Sequence, residues 1–470
     1  MVFSSSIFLF YFFPVFLLAY FITPVHLKNY TALIASVAFY AWGAPKFIFI
    51  VLIILIADFF LGNKIFESRG NKKKWLLIFS LSINVGSLLY FKYANFFVEN
   101  FNDTLQALGF NAVSWARIAL PIGISFFTFQ EMSYTIDIYR GVHKPLTKFS
   151  DYMLFIFMFS HLIAGPIVTY HILADDIVER RHQLNLNYKI QGALRFTIGL
   201  AKKVLIANQL AVVADQVFGQ PAGQLNFYSS WMGAIAYTFQ LYFDFSGYSD
   251  MAIGIGKFLG FNFPENFNNP YISQSITEFW RRWHITLGNW MRNYLYIPLG
   301  GNRVSISRMY FNLWVVFLIS GFWHGAEWTF VVWGIYHGLF IVLDRLFLVN
   351  LLKPVSKIFR IALTFLIVVL GWILFRSTSL AQAFNFYHCM FSFNLTMASP
   401  DLDYKFIFFL LIAIFFSFFG VVNAIEQNQI KWFNPERWLI PKILSSILLM
   451  FWCLAEISSG SFNPFIYFRF

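Results

Sequence analysis

Long runs of apolar residues are the dominant pattern of this sequence. A run of about 20 apolar residues is long enough to cross the hydrocarbon core of a membrane as a helix. Roughly a dozen such runs recur between Ile7 and Ile457, and short polar segments separate them. The pattern therefore predicts an all-α protein, a polytopic bundle of transmembrane helices.

The segment from Gln183 to Phe311 interrupts this pattern. Glycine, proline, asparagine and arginine break up its apolar residues, most densely between Asn262 and Pro270. Such irregular backbone cannot face lipid, because its N–H and C=O groups would lack hydrogen-bond partners there. We therefore expect re-entrant or interfacial helices in this segment. No repeat or long linker is evident, which favours one membrane domain over residues 1–459 and a C-terminal extracytoplasmic tail over residues 460–470.

Composition and charge support a membrane protein and argue against a nucleic-acid partner. Of the 470 residues, 59% are hydrophobic and 12% are charged, and the mean hydropathy is +0.63. The net charge of +12 falls in short clusters between apolar runs, which is typical of cytoplasmic loops under the positive-inside rule. The two cysteines, Cys389 and Cys453, show no CxxC or Cys/His spacing, so we expect neither a disulfide framework nor a metal site.

An imidazole lies within one of the most apolar stretches, from Met309 to Arg345. It belongs to His324 in the motif Trp323-His-Gly-Ala326. Burying an unpartnered polar group costs roughly 1–3 kcal/mol, and polar residues in membrane spans commonly line a cavity, a relay or a reaction centre. His324 is therefore either a packed, hydrogen-bonded residue or a catalyst. Gly325 lets another backbone or a substrate approach closely. His337 is a second polar contact or, as we favour, an interhelical hydrogen-bonding residue.

A segment rich in tryptophan and arginine, Phe279-Trp-Arg-Arg-Trp-His284, follows the irregular stretch. It suits an amphipathic helix at the cytoplasmic interface, with aromatic rings among the lipid headgroups and guanidinium groups pointing outward. One interpretation is that the arginines anchor the helix to lipid phosphates. The other is that some of them bind the phosphates of an anionic donor, which bidentate guanidinium geometry suits.

Two further segments carry polar or reactive groups. Tyr242-Phe-Asp-Phe-Ser-Gly-Tyr-Ser-Asp250 places Asp244 and Asp250 on different helix faces, which favours structural capping over a paired-carboxylate mechanism. The chain ends in Phe465-Ile-Tyr-Phe-Arg-Phe470 after a Gly/Ser tether. This terminal hexapeptide is either an interfacial anchor or an acyl acceptor, since a positioned imidazole can accept the proton of the Tyr467 phenol as the phenol attacks a thioester.

Six motifs together resemble the membrane-bound O-acyltransferase family, specifically its bacterial alginate and peptidoglycan O-acetyltransferase branch. The resemblance runs nearly end to end. It rests on the order and spacing of Met1-Val-Phe-Ser-Ser5, Leu162-Ile-Ala-Gly-Pro166, Tyr242–Asp250, Phe279–His284, Trp323–Ala326 and Phe465–Phe470. It implies a helical bundle with a central tunnel. His324 matches the catalytic histidine of the family, and Tyr467 matches the tyrosine of a terminal motif that carries the acyl group in related export systems.

The resemblance also implies substrates, partners and a location. We expect acetyl-CoA as the acyl donor, no tightly bound cofactor, and a multi-pass position in the bacterial cytoplasmic (inner) membrane, surrounded by membrane lipid. We expect an extracytoplasmic acetyltransferase partner of the SGNH type to receive the acetyl group for a cell-envelope or exported polysaccharide, peptidoglycan or alginate-like. The predicted catalytic residues are His324 and Tyr467. The predicted substrate-binding residues are Arg281, Arg282, His284 and Trp323.

The predicted mechanism follows from the size and charge of the donor. Acetyl-CoA is a polyanion that cannot cross a bilayer, whereas the acetyl group is small and neutral. We therefore expect CoA to bind near Arg281 and Arg282 on the cytoplasmic side, while His324 promotes acyl transfer to Tyr467 at the outer end of the tunnel. Three alternatives stay open: an exporter of D-alanyl or another acyl group with a carrier-protein donor, a direct acyltransferase that does not use Tyr467, and a transporter or flippase. The lack of an evident repeat disfavours a transporter.

Overall fold

The helical fold predicted from the apolar runs is confirmed in the computed structural model. The structure describes residues 1–180, 185–392, 403–421, 439–460 and 465–466. Within these residues every regular element is a helix and no strand occurs. The chain divides into two compact units. The single membrane domain over residues 1–459 stays a prediction.

The first unit consists of Met1, Ser5–Asn185 and Leu259–Phe263. Its α-helices are α1 (Phe13–Ile22), α2 (Lys28–Gly43), α3 (Ile48–Glu67), α4 (Gly70–Leu88), α5 (Ala94–Ala107), α6 (Ile124–Arg140), α7 (Phe149–Phe157) and α8 (Tyr170–Val178). Glycines bound α6 at both ends: Gly123 and Gly141 have φ values of 81° and 71°, which favour a residue without a Cβ. The sequence thereby sets the length of a helix that is buried along most of its residues.

The second unit consists of Val2–Ser4, Leu186–Phe258 and Pro264–Phe470. Its α-helices are α9 (Leu186–Ala201), α10 (Asn208–Phe218), α11 (Phe227–Leu259), α12 (Ile276–Arg282), α13 (Ile285–Trp290), α14 (Ile306–His324), α15 (Trp328–Leu343), α16 (Val349–Leu352), α17 (Lys357–Arg376), α18 (Leu380–Phe391), α19 (Tyr404–Phe418) and α20 (Leu439–Ser459). All the described residues with predicted chemistry belong to this unit. Its longest described helix, α11, has 33 residues and contains the Tyr242–Asp250 segment in its interior.

Eight helices of the described part are long and apolar enough to cross a membrane, so the protein is a multi-pass membrane protein. They are Ile48–Glu67, Gly70–Ala107, Leu186–Phe218, Ile306–His324, Trp328–Leu352, Lys357–Arg376, Tyr404–Val421 and Leu439–Ser459. The sequence predicted about a dozen spans. Part of the difference arises because the first apolar run forms a shorter helix, Phe8–Ile22. In addition, α11 is long enough but carries buried polar side chains, which lower its hydropathy.

The irregular segment before α12 is packed inside protein. Asn266 and Asn269 are buried. The backbone N–H of Asn268 donates to the carbonyl of Arg282 (2.9 Å), and the N–H of Ile285 donates to the carbonyl of Asn266 (2.9 Å). These bonds satisfy backbone groups that lipid would leave without partners. The prediction that this backbone avoids lipid is therefore confirmed for these residues, and the segment holds α12 and α13 in place.

Candidate active site

Close packing of α14 against α15 places His324, the last residue of α14. A Cβ on Gly321 would lie 2.4 Å from the carbonyl oxygen of Phe330, and one on Gly334 would lie 2.6 Å from that of Phe317. Real Cβ atoms do not approach so closely, so any larger residue at either position would push the helices apart. The two glycines therefore fix the distance between the helices, and with it the position of the imidazole.

Aromatic rings surround the His324 imidazole. The ring centroids of Trp323, Trp333 and Phe375 lie 4.9, 5.1 and 5.2 Å from the imidazole, with interplanar angles of 70°, 88° and 72°. Such edge-to-face contacts favour a single orientation of the ring. His324 is buried but 5% of its surface stays accessible, whereas the buried His337 is 0% accessible. His324 therefore retains a small accessible surface, whereas His337 retains none. The tunnel expected beside it stays a prediction.

Gly325 ends α14 in an extended conformation, with φ −161° and ψ 148°. A Cβ at this position would lie 2.1 Å from the Phe330 ring. The sequence left open whether the glycine admits a backbone or a substrate, and the structure shows that it makes room for the Phe330 side chain. Trp323, on the other side of His324, is buried with its ring against the imidazole.

His284 adopts an uncommon backbone conformation between α12 and α13. Its φ of 45° and ψ of 52° lie in the left-handed region, which few non-glycine residues occupy and which concentrates at functional sites. The Oδ1 atom of Asn266 accepts hydrogen bonds from the Thr286 backbone N–H and hydroxyl. Since the same oxygen lies 3.0 Å from Nδ1 of His284, the imidazole donates through Nδ1, and Nε2 is its basic nitrogen.

Burial keeps the His284 imidazole neutral. It lowers the pKa of His284 to about 3, because charging the ring would require solvation that the surrounding protein does not supply. The Asn266 amide that holds His284 donates in turn to the Ser249 hydroxyl on α11 (3.0 Å). His284 is therefore a neutral, oriented base at ordinary pH, and its position depends on a loop residue that the sequence analysis did not select.

Acidification is expected to destabilise the protein through His284. An imidazole in the unfolded chain has a pKa of about 6.5, whereas the pKa of His284 in the native state is about 3. Between these two pH values the unfolded state binds a proton at this histidine and the native state does not. The contribution of His284 to the free energy of unfolding is complete above about pH 6.5 and is lost as the pH falls toward 3. At pH 5 the free energy of unfolding is expected to be lower by about 2 kcal/mol. The free energy of unfolding at pH 7.5 and pH 5, measured by detergent titration, checks this.

The His284→Asn variant is the matched control for this pH dependence. Asparagine tolerates the left-handed conformation and keeps an amide donor for Asn266, but it does not titrate. We expect the variant to lose less stability than the wild type between the two pH values. Equal losses in both proteins would contradict the assignment of a buried neutral imidazole.

A row of rings connects His324 to the C-terminal segment. The His284 ring lies 6.3 Å from Trp323, which neighbours His324, and 4.7 Å from Phe245 on α11. Phe245 in turn lies 5.9 Å from Phe465. Segments that are far apart in sequence thus meet in one row, Phe465–Phe245–His284–Trp323–His324, which we call the aromatic row.

The beginning of the terminal hexapeptide is buried. Phe465 is 0% and Ile466 1% exposed, and the backbone N–H of Ile466 donates to Oδ2 of Asp244 (2.8 Å). The other carboxylate oxygen of Asp244 forms an ion pair with Nζ of Lys203 (2.7 Å). The interpretation of this segment as an interfacial anchor is therefore wrong for Phe465 and Ile466. Tyr467 lies outside the described residues.

The capping role predicted for Asp244 and Asp250 is wrong. Both lie in the interior of α11 rather than at its ends. Asp244 binds Lys203 and Ile466, and Asp250 forms ion pairs with Arg195 (2.7 Å) and Lys202 (2.7 Å). Charge on these aspartates is neutralised by partners on neighbouring elements, which spacing along α11 does not reveal.

The two arginines predicted to bind the donor, Arg281 and Arg282, have different surroundings. Arg282 is half-buried, and its Nε atom pairs with Glu278 one turn earlier (2.9 Å), while a terminal nitrogen reaches the Asn268 carbonyl (3.3 Å). Arg281 is exposed. Two aromatic residues of the same segment do not lie at a lipid interface as expected: Phe279 and Trp283 are 1% and 2% exposed. An aromatic helix face packs on protein as readily as on lipid, so the sequence did not separate the two.

His337 is enclosed by rings and makes no hydrogen bond to any described residue. Its imidazole lies 5.1 Å from Trp280 and 5.0 Å from Trp333, and both ring nitrogens are buried. A Cβ on Gly371 would lie 2.7 Å from Nε2, so α17 packs directly on the ring. The interhelical hydrogen bond predicted for His337 is therefore not found in the described part of the chain.

A cavity of about 200 Å³ lies away from His324, at the other end of α15. It is lined by Gln274, Ser275, Glu278, Asp344, Val349, Leu352 and Arg360. Asp344 follows α15, about 16 Å along the helix axis from Trp333 at 1.5 Å per residue. Its carboxylate accepts the Thr277 backbone N–H (2.8 Å) at the first turn of α12. The cavity walls carry two carboxylates and one guanidinium, a poor match for an anionic donor.

Lys203 is one of two site residues that the sequence did not single out, the other being Asn266. Lys203 is 3% exposed within the apolar helix Leu186–Phe218. A lysine in such a helix requires a partner, because burying a charged or polar group without one is costly. The position of Lys203 within an apolar run could therefore be recognised from the sequence. Asn266, by contrast, has no local signal, because its role depends on the fold of the loop around His284.

The whole chain is similar in sequence to known acetyltransferases. A family model described as "MBOAT, membrane-bound O-acyltransferase family" matches residues 140–384. The probable alginate O-acetylase AlgI of Pseudomonas aeruginosa is 45% identical over 397 residues, which cover 84% of this chain and 75% of that protein. The probable alginate O-acetylase AlgI of Pseudomonas putida is 40% identical and covers 100% of both chains. The peptidoglycan O-acetyltransferase of Helicobacter pylori is 35% identical and covers 100% of this chain and 98% of that protein.

Proposed function

The chain belongs to the membrane-bound O-acyltransferase family and is an O-acyltransferase, and from this premise we propose that it moves acetyl groups across the membrane. The donor is acetyl-CoA on the cytoplasmic side, His324 is the general base, and Tyr467 carries the acetyl group as an aryl ester. The acetyl group is finally used for O-acetylation of a cell-envelope or exported polysaccharide. The bacterial inner membrane is the location consistent with such a donor and such an acceptor.

The aromatic row is the observation that carries this proposal. It places the segment that immediately precedes Tyr467 in a chain of ring contacts that ends at His324. The bond from the Ile466 N–H to Asp244 holds the segment inside the protein. A terminal segment that served only as a lipid anchor would have no reason to make a buried, charge-assisted hydrogen bond.

The proposed transfer is a nucleophilic substitution at the thioester. His324 accepts the phenolic proton of Tyr467 as the phenolic oxygen attacks the carbonyl carbon of acetyl-CoA. The carbon–sulfur bond breaks, and the CoA thiolate takes up the proton from the imidazolium and leaves as the thiol. His324 returns to the neutral form, and the acetyl group is bound to Tyr467. His284, whose basic Nε2 atom is oriented by Asn266, is proposed to bind the substrate together with Trp323.

The donor phosphates are proposed to bind at Arg281. Its side chain is exposed, whereas the guanidinium of Arg282 is held by Glu278 and Asn268. The contacts of Arg282 hold α12 in place, and with it the adjacent Arg281. An exposed guanidinium forms two parallel hydrogen bonds to a phosphate, which suits a polyanionic donor such as CoA.

The acceptor is proposed from the chemistry of the product and the names of the relatives. An aryl ester of acetic acid is itself a reactive acyl donor, because a phenolate is a good leaving group. A hydroxyl nucleophile on an extracytoplasmic partner of the SGNH type can therefore collect the acetyl group and regenerate the phenol. The relatives act on alginate and on peptidoglycan by name, so we propose an exported or cell-envelope polysaccharide as the final acceptor.

Labelling with acetyl-CoA tests the relay directly. We expect mass spectrometry of the purified protein, incubated with isotopically labelled acetyl-CoA, to find one acetyl group on Tyr467. The Tyr467→Phe protein should acquire no label there and should export no acetyl, because phenylalanine has no nucleophile. A Tyr467→Phe protein that still exports acetyl would refute the covalent relay and favour direct transfer.

The donor and the class of activity are tested with the same protein. CoA release that depends on Tyr467 supports acetyl transfer and disfavours a transporter or flippase, which would consume no thioester. A protein that accepts D-alanyl from a carrier protein but not acetyl from CoA would establish the alternative exporter. Omission of the extracytoplasmic partner is expected to leave the aryl ester in place, since no hydroxyl then collects the acetyl group.

A further inference from the structure

Three sequence motifs that are distant along the chain meet at one tyrosine of α11. The ring of Phe3, from the opening motif, stacks on Tyr248 with centroids 4.5 Å apart and an interplanar angle of 17°. The ring of Phe465, from the terminal hexapeptide, also stacks on Tyr248, at 4.7 Å and 28°. Phe3 and Phe465 are 0% exposed and Tyr248 is 2% exposed. Both ends of the chain thus contribute a buried ring to the same stack.

A charged hydrogen bond complements this stack one helical turn earlier on α11. The carboxylate of Asp244 accepts the N–H of Ile466 through Oδ2 (2.8 Å) and pairs with Lys203 through Oδ1 (2.7 Å). Lys203 and Asp244 are 3% and 1% exposed. Residues 244 and 248 are four apart, so they lie on the same face of the helix. One face of α11 therefore binds both the ring of Phe465 and the backbone that follows it.

These contacts define a specific binding site rather than general apolar burial. Apolar burial alone would accept any hydrophobic segment, because it is not directional. The carboxylate adds a requirement for a backbone donor at one position, and the Tyr248 ring adds a requirement for a flat ring one residue earlier. Lys203 neutralises the carboxylate, which makes its burial tolerable.

We propose that Phe3, Tyr248, Asp244 and Lys203 form a docking site for the C-terminal segment of this chain. Its ligand is a dipeptide with an aromatic first residue and an apolar second residue that donates its backbone N–H, as Phe465 and Ile466 do. The four residues act as positioning residues, because they hold Phe465 in the aromatic row and Ile466 next to it. Their importance for catalysis rests on the proposed function, whereas docking itself does not.

Hydrogen–deuterium exchange of the full-length protein in lipid nanodiscs tests the docking. The Ile466 amide is buried and hydrogen-bonded, so we expect slow exchange in the wild type. Phe465→Ala removes the stacked ring, and Lys203→Met with Asp244→Leu removes the acceptor together with its counter-charge. Each change should speed exchange at Ile466 at least about tenfold. Lys203→Met with Asp244→Asn keeps an amide oxygen that accepts the N–H and should restore the slow exchange.

Two matched variants control for general loss of stability. Phe386→Ala disrupts another buried stack in the same unit, between Phe386 and Phe218 (4.4 Å, 14°). Asp215→Leu with Arg376→Met removes another ion pair of this unit (2.8 Å). Both should leave exchange at Ile466 unchanged. Rapid exchange in the wild type, or equal acceleration in the control and docking variants, would overturn the proposal.

Acetylation of Tyr467, measured on the same samples, separates docking from the relay. In the docking variants the single-turnover rate of Tyr467 acetylation should fall at least about tenfold and should recover in the Asp244→Asn pair, as expected for a positioning role. A protected Ile466 amide together with a Tyr467 that is never acetylated would support the docking site and refute the relay. Rapid exchange at Ile466 together with normal acetylation of Tyr467 would refute the docking site and support the relay.

Discussion

The His324→Gln protein is expected to release CoA from acetyl-CoA about 10²–10⁴-fold more slowly than the wild type, the range for loss of a positioned general base. Glutamine is close in size to histidine and keeps polar atoms among Trp323, Trp333 and Phe375, but it cannot accept the phenolic proton. The single-turnover rate of CoA release by the purified protein measures the effect. The thermal stability of the variant should stay near that of the wild type.

His337 provides the control for this substitution. It is also a buried histidine, and its ring contacts the same Trp333, at 5.0 Å. It has no accessible surface, unlike His324. His337→Phe is therefore expected to change the rate less than about tenfold, within the range of indirect effects. If His324→Gln retained activity to the same degree as His337→Phe, His324 would be a packing residue and the proposed relay would lack its base.

Breaking the ion pair between Lys203 and Asp244 is expected to have the largest effect on stability. Removing one partner of a buried pair typically costs about 3–5 kcal/mol, because the other charge is left without its counter-ion in a medium of low polarity. Asp244→Leu takes away the carboxylate that neutralises Lys203 and binds Ile466, and Lys203→Met takes away the ammonium. Each single variant should unfold at a lower detergent concentration than the wild type.

A double-mutant cycle decides whether the cost comes from the unbalanced charge. The protein with both Lys203→Met and Asp244→Leu buries two apolar side chains of similar volume, so its stability should be closer to that of the wild type than either single variant is. Additive losses in the double variant would mean that the two residues act independently. The ion pair would then not be the feature that stabilises this part of the second unit.

His324 could be proposed as the catalytic histidine from the sequence because its signal is local. An imidazole in an apolar run is energetically unusual wherever the run packs, so the sequence alone points to His324. The same argument applies to Lys203, which is buried in the apolar helix Leu186–Phe218. For Asp244, helix spacing led to the wrong role, because its partners lie 222 residues later, at Ile466, and on another helix, at Lys203.

The interfacial position predicted for the aromatic rings of Phe279–His284 is wrong for Phe279 and Trp283 for a related reason. Aromatic side chains gain from burial against lipid headgroups, against hydrocarbon and against other rings, so their pattern does not identify the surface they contact. The structure packs Phe279 and Trp283 inside the second unit and leaves Arg281 exposed. The left-handed backbone of His284 could not be predicted from the sequence either, since it depends on hydrogen bonds to Asn266 in the preceding loop.

An all-helical membrane protein with an unusual imidazole at His324 follows from the sequence alone, because hydrophobic run length and the cost of a buried polar group are local properties. Which groups meet follows from the folded structure: the opening motif, α11, the His284 loop and Phe465 come together around Tyr248 and the aromatic row. The physical reason is that contacts between helices depend on side-chain packing and on the pairing of buried charges across the chain, and neither is periodic along it.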